Sequence, residues 1–125
     1  MTPHVEQIEK VNLAEKFALF DAHWSPKIVG AVNHFHVKLV KVKGEFVWHR
    51  HHHEDELFLI VQGQLRMQFR DREVTVNEGE FIIVPHGVEH RPSADNECHI
   101  LLLEPKTTLN TGTERGERTA DAEWI

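Results

Sequence analysis

The chain has 125 residues, 40% hydrophobic and 27% charged, which is the composition of one ordinary globular domain and excludes disordered and fibrous proteins. Its 14 Lys and Arg against 20 Asp and Glu give a formal net charge of −6, which argues against a general nucleic-acid binder because phosphate backbones would repel it. Cys98 is the single cysteine, so one chain cannot form a disulfide or a cysteine-based zinc site. We therefore expect a protein of the reducing cytoplasm.

Export and membrane segments are not indicated by the sequence. The apolar core of a signal peptide is not expected in the first 20 residues, because these carry Glu6, Glu9, Lys10, Glu15 and Lys16. The most apolar run, residues 57–65, is far shorter than a membrane span. These features predict a soluble protein without a membrane partner.

The N-terminal part of the chain predicts a short amphipathic helix at residues 12–20 (NLAEKFALF). Asn12 can cap this helix, and Glu15 lies at the capping-box position. Leu13, Phe17 and Phe20 fall on one face. The sequence WSP at residues 24–26 ends the pattern.

From residue 27 onward the sequence changes to short, β-rich runs. They predict strands at 28–32, 35–42, 45–48, 57–61, 65–70, 73–76, 81–84 and 99–103. Turn residues separate them at 62–63, 71–72, 77–79 and 85–87. About eight strands with tight connections predict an all-β antiparallel sandwich or barrel. Its interior is expected to be filled mainly by Phe46, Trp48, Phe58, Met67, Phe69 and Phe81.

The C-terminal segment 107–125 is polar and rich in turn residues. We expect Trp124 and Ile125 at its end to dock on the domain or on a neighbouring subunit, because terminal segments stay ordered mainly when they are tied down. The predicted organisation is a single domain, 1–125, with a barrel core at about 28–104, the helix at 12–20 and the tail at 107–125. Sheets with exposed edges often pair with a second chain, so we expect a homodimer.

Histidine is the residue that stands out, with eleven in the chain and four of them between residues 49 and 53. On an extended segment His49 and His51 project from one face, so both imidazoles can reach one ion. A bend would return the chain so that Glu56, at the start of the next strand, faces the same point. His90, after a strand and a Pro/Gly turn, is the candidate third histidine.

Two motifs in this region resemble those of small single-domain cupins. His49, His51, Glu56 and Gly63 match the first motif, and the second is matched by Gly79, Pro85, Gly87 and His90. The resemblance implies an antiparallel double-stranded β-helix, or jelly-roll barrel, with a metal held by His49, His51, Glu56 and His90. This chain departs from the usual pattern in the four residues between Gly44 and His49 and in Ala94, where many members have Asn.

Three imidazoles and one carboxylate suit Mn, Fe, Co, Ni, Cu or Zn, and leave positions open for water, O₂ or a chelating substrate. A register slip that pairs His51 with His53 is the alternative ligand set, and His52 and His53 are otherwise solvated bend residues. The candidates for a further catalytic group are His36 and His99, which could face into the barrel, and Arg91, which could bind an anionic substrate.

The leading functional hypothesis is a metal-dependent cupin that acts on a small organic molecule. Isomerase or epimerase-type chemistry and dioxygenase-type chemistry both remain open, although no Lys/Arg cluster suited to a sugar phosphate is evident. The alternative is a non-enzymatic small-molecule or metal-binding sensor, and a third reading is a structural barrel with a vestigial site. An inward side chain such as His36 or His99 near the open metal positions would favour proton-transfer chemistry over simple binding.

Overall fold

The computed structural model describes residues 8–125; residues 1–7, which include Glu6 of the charged N-terminal segment, lie outside it. The described chain contains one short helix and eight strands. In chain order they are α1 (Leu13–Phe17), β1 (Lys27–Val32), β2 (Phe35–Glu45), β3 (Glu56–Gln62), β4 (Gln64–Gln68), β5 (Glu73–Asn77), β6 (Phe81–Val84), β7 (Arg91–Pro105) and β8 (Glu123–Trp124). The architecture is the expected sheet-rich jelly-roll barrel, and no helix among residues 8–125 has the length and apolar character of a membrane span.

The long strand β7 holds the barrel together because it pairs with three other strands. One of its edges pairs first with β4, from Gln68↔Arg91 to Arg66↔Ser93, and then with β3, while the other edge pairs with β2 from Ser93 to Pro105. All of these pairings are antiparallel. Register shifts in β2 between Val42 and Gly44, and in β3 between Ile60 and Gln62, bend the sheet at the point where the partners change. One strand therefore links β2, β3 and β4 in a single sheet.

The barrel interior is filled by alternate residues of the strands. Val40 and Val42 of β2, Phe58 and Ile60 of β3, and Ile100 of β7 belong to one buried cluster. A second, smaller cluster lies on the outside of the sheet, where Phe17 and Phe20 cover Val29 and Leu39. The helix is capped as predicted, since Asn12 Oδ1 accepts a hydrogen bond from Glu15 N at 3.0 Å. It ends at Phe17, and residues 18–19 continue as a turn.

Two strand predictions and one prediction about the barrel interior need correction. The segment 46–48 is irregular because β2 runs on to Glu45 and then turns toward the site. The last predicted strand, 99–103, is only part of the fifteen-residue β7. The polar residues Asp95 and Asn96 made the first half of β7 look like a loop in the sequence. Phe81 does not fill the barrel: it is 61% exposed on the outer side of β6.

The tail docks on the domain, as its terminal aromatic and aliphatic residues suggested. β8 pairs parallel to β1, with Ile28 opposite Trp124, and Ile125 N donates to the carbonyl of Ile28 at 3.1 Å. The side chain of Ile125 packs on the outer cluster, while Trp124 remains 60% exposed. Between β7 and β8 the tail also contacts other parts of the chain, since Asn110 Nδ2 donates to Trp24 O at 3.4 Å and Thr113 N donates to Arg50 O at 3.1 Å.

Candidate metal centre

Two of the four predicted ligands are direct neighbours across the sheet. His49 N donates to His90 O at 3.0 Å and His90 N donates to His49 O at 2.9 Å, which makes the two residues a hydrogen-bonded antiparallel pair. Their side chains therefore project from the same face, with ring centroids 4.3 Å apart. Alternation brings the His51 ring beside them, 5.1 Å from that of His49.

Glu56 completes the group from the first position of β3. Its Oε1 lies 2.8 Å from His51 Nε2 and 3.4 Å from His90 Nε2. The potential ligand atoms of His49, His51, Glu56 and His90 all lie within 4.8 Å of one another, and all four side chains are buried. The structure thus brings together the complete set that the motif spacing predicted.

The hydrogen bonds of the rings point their Nε2 atoms at the centre of the group. His49 Nδ1 donates to Val47 O and His90 Nδ1 donates to Val88 O, each at 2.9 Å. In a neutral ring this leaves Nε2 as a lone-pair donor, the arrangement typical of metal-ligating histidines. Among residues 8–125, His51 Nε2, His90 Nε2 and Glu56 Oε1 are buried without a hydrogen-bond partner of regular geometry. Electron-rich atoms that face one another in this way need a cation between them, so the donor set fits a transition metal.

The electrostatics of the group favour the forms that bind metal. Burial and the neighbouring His90 lower the pKa of His49 to about 4, so this ring is neutral at neutral pH. Burial alone would raise the pKa of Glu56, but contacts with Glu104, His51 and His90 bring that pKa well below its ordinary value. An ionised carboxylate and a neutral imidazole are the protonation states that a metal requires.

Glu104 is a residue of this site that the sequence reasoning missed. It lies on the inward face of β7, 1% exposed, in contact with Glu56. Burial and the charge of Glu56 raise its pKa well above the ordinary value, and Lys38 Nζ donates to its Oε1 at 2.7 Å. Lys38 is itself 3% exposed on the inward face of β2. The sequence signal that could have indicated an inward Glu104 is its spacing, because it lies an even number of residues from Cys98 and Ile100, which face inward on the same strand.

A small, mostly apolar cavity adjoins the cluster. Its volume is about 40 Å³, room for a few water molecules. Trp24 and Asn110 close it from the N-terminal segment and the tail, and the Trp24 ring stacks on Phe46 at 4.6 Å. The remaining walls come from Pro26, Val40, Val42, His49, Glu56, Phe58, Pro92, Ile100, Leu102 and Glu104. Among these lining residues, Glu104 is the one ionisable group besides the predicted ligands.

The tail also supports the ligand segment directly. Thr113 N donates to Arg50 O at 3.1 Å, which ties the tail to the backbone beside His51. Gly112 adopts a φ of +57°, and a Cβ at this position would overlap the carbonyl of Arg50 and lie 3.2 Å from His51 Nδ1. Only glycine lets the tail backbone come this close to the backbone beside His51, so the tail helps to fix the position of His51.

The further catalytic candidates lie away from the cluster. His99 faces outward from β7, where it stacks on Phe17 at 4.6 Å and contacts Glu97, while Cys98 takes the inward position. His36 lines a different cavity and makes an edge contact with Trp124. Neither histidine is therefore placed for proton transfer at the cluster.

Arg91 does not line the metal cavity either. Its side chain makes an ion pair with Glu45 at 2.8 Å and donates to Gln68 at 2.6 Å. These partners hold the guanidinium on the opposite side of the strand from His90. His52 and His53 are exposed on the bend, and His53 does not lie in the buried group of His49, His51, Glu56 and His90 that the alternative register would have altered.

Comparisons with known proteins agree with this architecture. The cupin domain family matches residues 36–104. YdbB of Bacillus subtilis (strain 168) is 36% identical over 64 residues, which span 50% of this chain and 57% of YdbB. A crystal structure of a cupin-2 domain protein from Shewanella frigidimarina is 47% identical, with a TM-score of 0.76, covering 77% of this chain and 94% of that one.

A protein from Neisseria meningitidis is also similar, at 34% identity and a TM-score of 0.72, with 78% of this chain and all of that chain covered. The two crystal structures resemble this chain over most of its length, and the family match spans the strands that carry both motifs. With the barrel topology and the His49, His51, Glu56 and His90 cluster, these matches establish that the chain belongs to the cupin family.

Proposed function

We propose that this cupin binds one divalent transition metal through His49, His51, Glu56 and His90 and uses it to act on a small organic molecule. The observation that carries the proposal is the convergence of four buried ligand atoms, three of which have no regular hydrogen-bond partner among the described residues. The nitrogen-rich set suits Mn, Fe, Ni, Cu or Zn. Such a metal supplies a Lewis acid or, when redox-active, a site for dioxygen.

The chain's own residues determine what can reach the metal. Aliphatic and aromatic residues form most of the cavity wall, and the polar side chains that a ligand could contact there include His49, Glu56, Glu104 and Asn110. With the tail in its present position, the cavity of about 40 Å³ favours a molecule of few heavy atoms. A larger substrate requires the segment around Asn110 to move.

Isomerase-type and dioxygenase-type chemistry differ in their need for a proton-handling group. Glu104 is the group available for this role in the cavity, because burial and the charge of Glu56 raise its pKa well above the ordinary value and so favour the form that carries a proton. An isomerase or epimerase would use this carboxyl, whereas a dioxygenase would need mainly the metal and the apolar walls.

A non-enzymatic binding or sensor domain is the second candidate. Glu104 is already engaged by Lys38 and Glu56, which leaves the cavity without an unengaged acid or base among its lining residues. This arrangement favours tight holding of a metal-bound metabolite over turnover. The two candidates share the same metal site and differ in whether bound ligand is converted.

The proposal is tested by titrating metal-free protein with Co²⁺ and following its visible absorption. We expect a saturable band that Glu56→Gln weakens at least about tenfold in affinity, because a charged ligand is lost. Oxalate, a small chelating probe, should then shift the band by occupying the open positions. A Co²⁺ spectrum that is identical in wild type and Glu56→Gln would contradict the ligand set, and a spectrum unmoved by oxalate would contradict the open positions.

We also propose a cytoplasmic homodimer. The single Cys98 is buried, and burial with nearby Glu78 raises its pKa to about 12, so it is an inert thiol suited to a reducing compartment. The outer face of the sheet exposes Phe35, Phe81 and Ile83, which a second copy can cover. Sedimentation equilibrium should give the mass of two chains, and the mass of one chain at micromolar concentration would contradict the dimer.

A further inference from the structure

A second cavity lies on the far side of the Lys38–Glu104 pair from the metal cluster. It has a volume of about 340 Å³ and lies between β1, β2 and the tail; we call it the tail cavity. Residues 106–110 and 120–122 form much of its wall, outside the region that the cupin family match covers. Its size falls near the lower end of the range, roughly 300–1,000 Å³, in which small-molecule sites are found.

The tail cavity is lined by an excess of positive charge in a chain that is acidic overall. Lys106 and Arg115 line it without an ion-pair partner among residues 8–125, and Lys38 lies in its wall. The one acidic residue in the lining is Asp121, which likewise makes no ion pair within the described chain. A net charge of −6 for the whole chain makes this local concentration of cations a specific feature of the cavity.

His36 adds a hydrogen-bonding group that the fold does not satisfy. Its Nδ1 is buried and has no partner within residues 8–125. Partial burial lowers its pKa, and the charges of Lys38 and Lys106 lower it further, so both cations act on the ring from the cavity side. Between these polar groups, Ile28 and Ala122 provide an apolar surface for the carbon part of a ligand.

We propose that the tail cavity binds a small organic anion that carries a carboxylate or phosphate group. The guanidinium of Arg115 suits the paired oxygens of either group, and the ammonium of Lys106 supplies a second positive charge. The His36 ring forms part of the same wall. The site is separate from the metal cluster, because the buried Lys38–Glu104 ion pair lies between the two cavities.

The test is calorimetric titration of EDTA-treated full-length protein with inorganic phosphate and, separately, with succinate. EDTA treatment removes the contribution of any anion that would bind to a metal at the cluster. We expect saturable binding of at least one probe, weakened about tenfold or more in Lys106→Gln and in Arg115→Gln, because each variant loses a charged hydrogen-bond donor to the anion. Lys43→Gln, which removes an exposed cation elsewhere on β2, should bind as wild type does.

The two probes identify the ligand chemistry. Stronger binding of phosphate assigns the cavity to phosphorylated metabolites, and stronger binding of succinate assigns it to carboxylic acids. Binding should persist in His90→Ala, which removes a metal ligand but no residue of the tail cavity. Absence of saturable binding of both probes, or equal weakening by Lys43→Gln and Arg115→Gln, would overturn the proposal.

Discussion

Gly112→Ala is expected to destabilise the fold and to weaken metal binding together. A Cβ at Gly112 overlaps the carbonyl of Arg50, so either the tail or the backbone beside His51 must move. Because the residue also has a φ of +57°, we expect a loss of about 2 kcal/mol or more in the free energy of unfolding. A displaced His51 should lower metal affinity roughly 10–100-fold, the range seen when groups that orient metal ligands are altered.

The matched control for this variant is Gly116→Ala in the same tail. Gly116 has no positive φ and no atom within 4 Å of an added Cβ, so its replacement should change stability by less than about 0.5 kcal/mol. Chemical denaturation gives the stability, and competition with a chromophoric chelator gives the affinity. Equal metal affinities for Gly112→Ala and Gly116→Ala would show that the tail does not support the ligand segment.

Lys38→Met should cost about 3 kcal/mol of stability. The ammonium of Lys38 lies 2.7 Å from Glu104, and both side chains are almost fully buried. Removing the cation leaves a buried carboxyl beside Glu56 without its compensating charge, and breaking a buried pair from one side typically costs about 3–5 kcal/mol. Because Glu104 has a raised pKa and can stay protonated, we expect the lower end of that range.

A double-mutant cycle separates this interaction from the loss of side-chain packing. Lys38→Met combined with Glu104→Gln should recover part of the lost stability, since no charge then needs a partner. Lys43→Met, on an exposed position of the same strand, is the control and should be close to neutral. Effects of the two single substitutions that simply add in the double variant would contradict the buried pair.

The sequence was most informative where residues close together in the chain determine the relative positions of their side chains. The spacing between His51 and Glu56, and the register of His49, depend on strand alternation and one bend, so the cluster could be predicted before the structure. His90 followed from a Pro/Gly turn of known effect. The short helix was likewise predicted from its cap, which the hydrogen bond between Asn12 and Glu15 reproduces.

The residues that were missed depend on contacts distant in the sequence. Glu104 and Lys38 become a buried pair only when β2 and β7 lie side by side, and an isolated strand gives no sign of that partner. A strand alone does not tell which of its two faces is internal, so the sequence leaves the direction of His99 open. Packing of Phe17 on the outer side shows that His99 faces outward.

The tail shows the same limit more strongly. Only its last two residues indicated docking, whereas its position also depends on a hydrogen bond to Arg50 besides the one to Ile28, both in other parts of the chain. The short β8 could not be predicted because its two residues gain strand geometry from pairing with β1. Tertiary contacts therefore build both the support of His51 and the tail cavity.

Metal analysis of untagged protein, purified without a metal-affinity column, tests the central claim most directly. We predict about one transition-metal ion per chain in wild type and in His53→Ala, which alters an exposed histidine of the same bend, and loss of that ion in His90→Ala. A wild type that holds no metal, even after incubation with each candidate ion, would contradict the account. Metal retained at the wild-type level in His90→Ala would contradict it equally, because the ion would then be bound elsewhere.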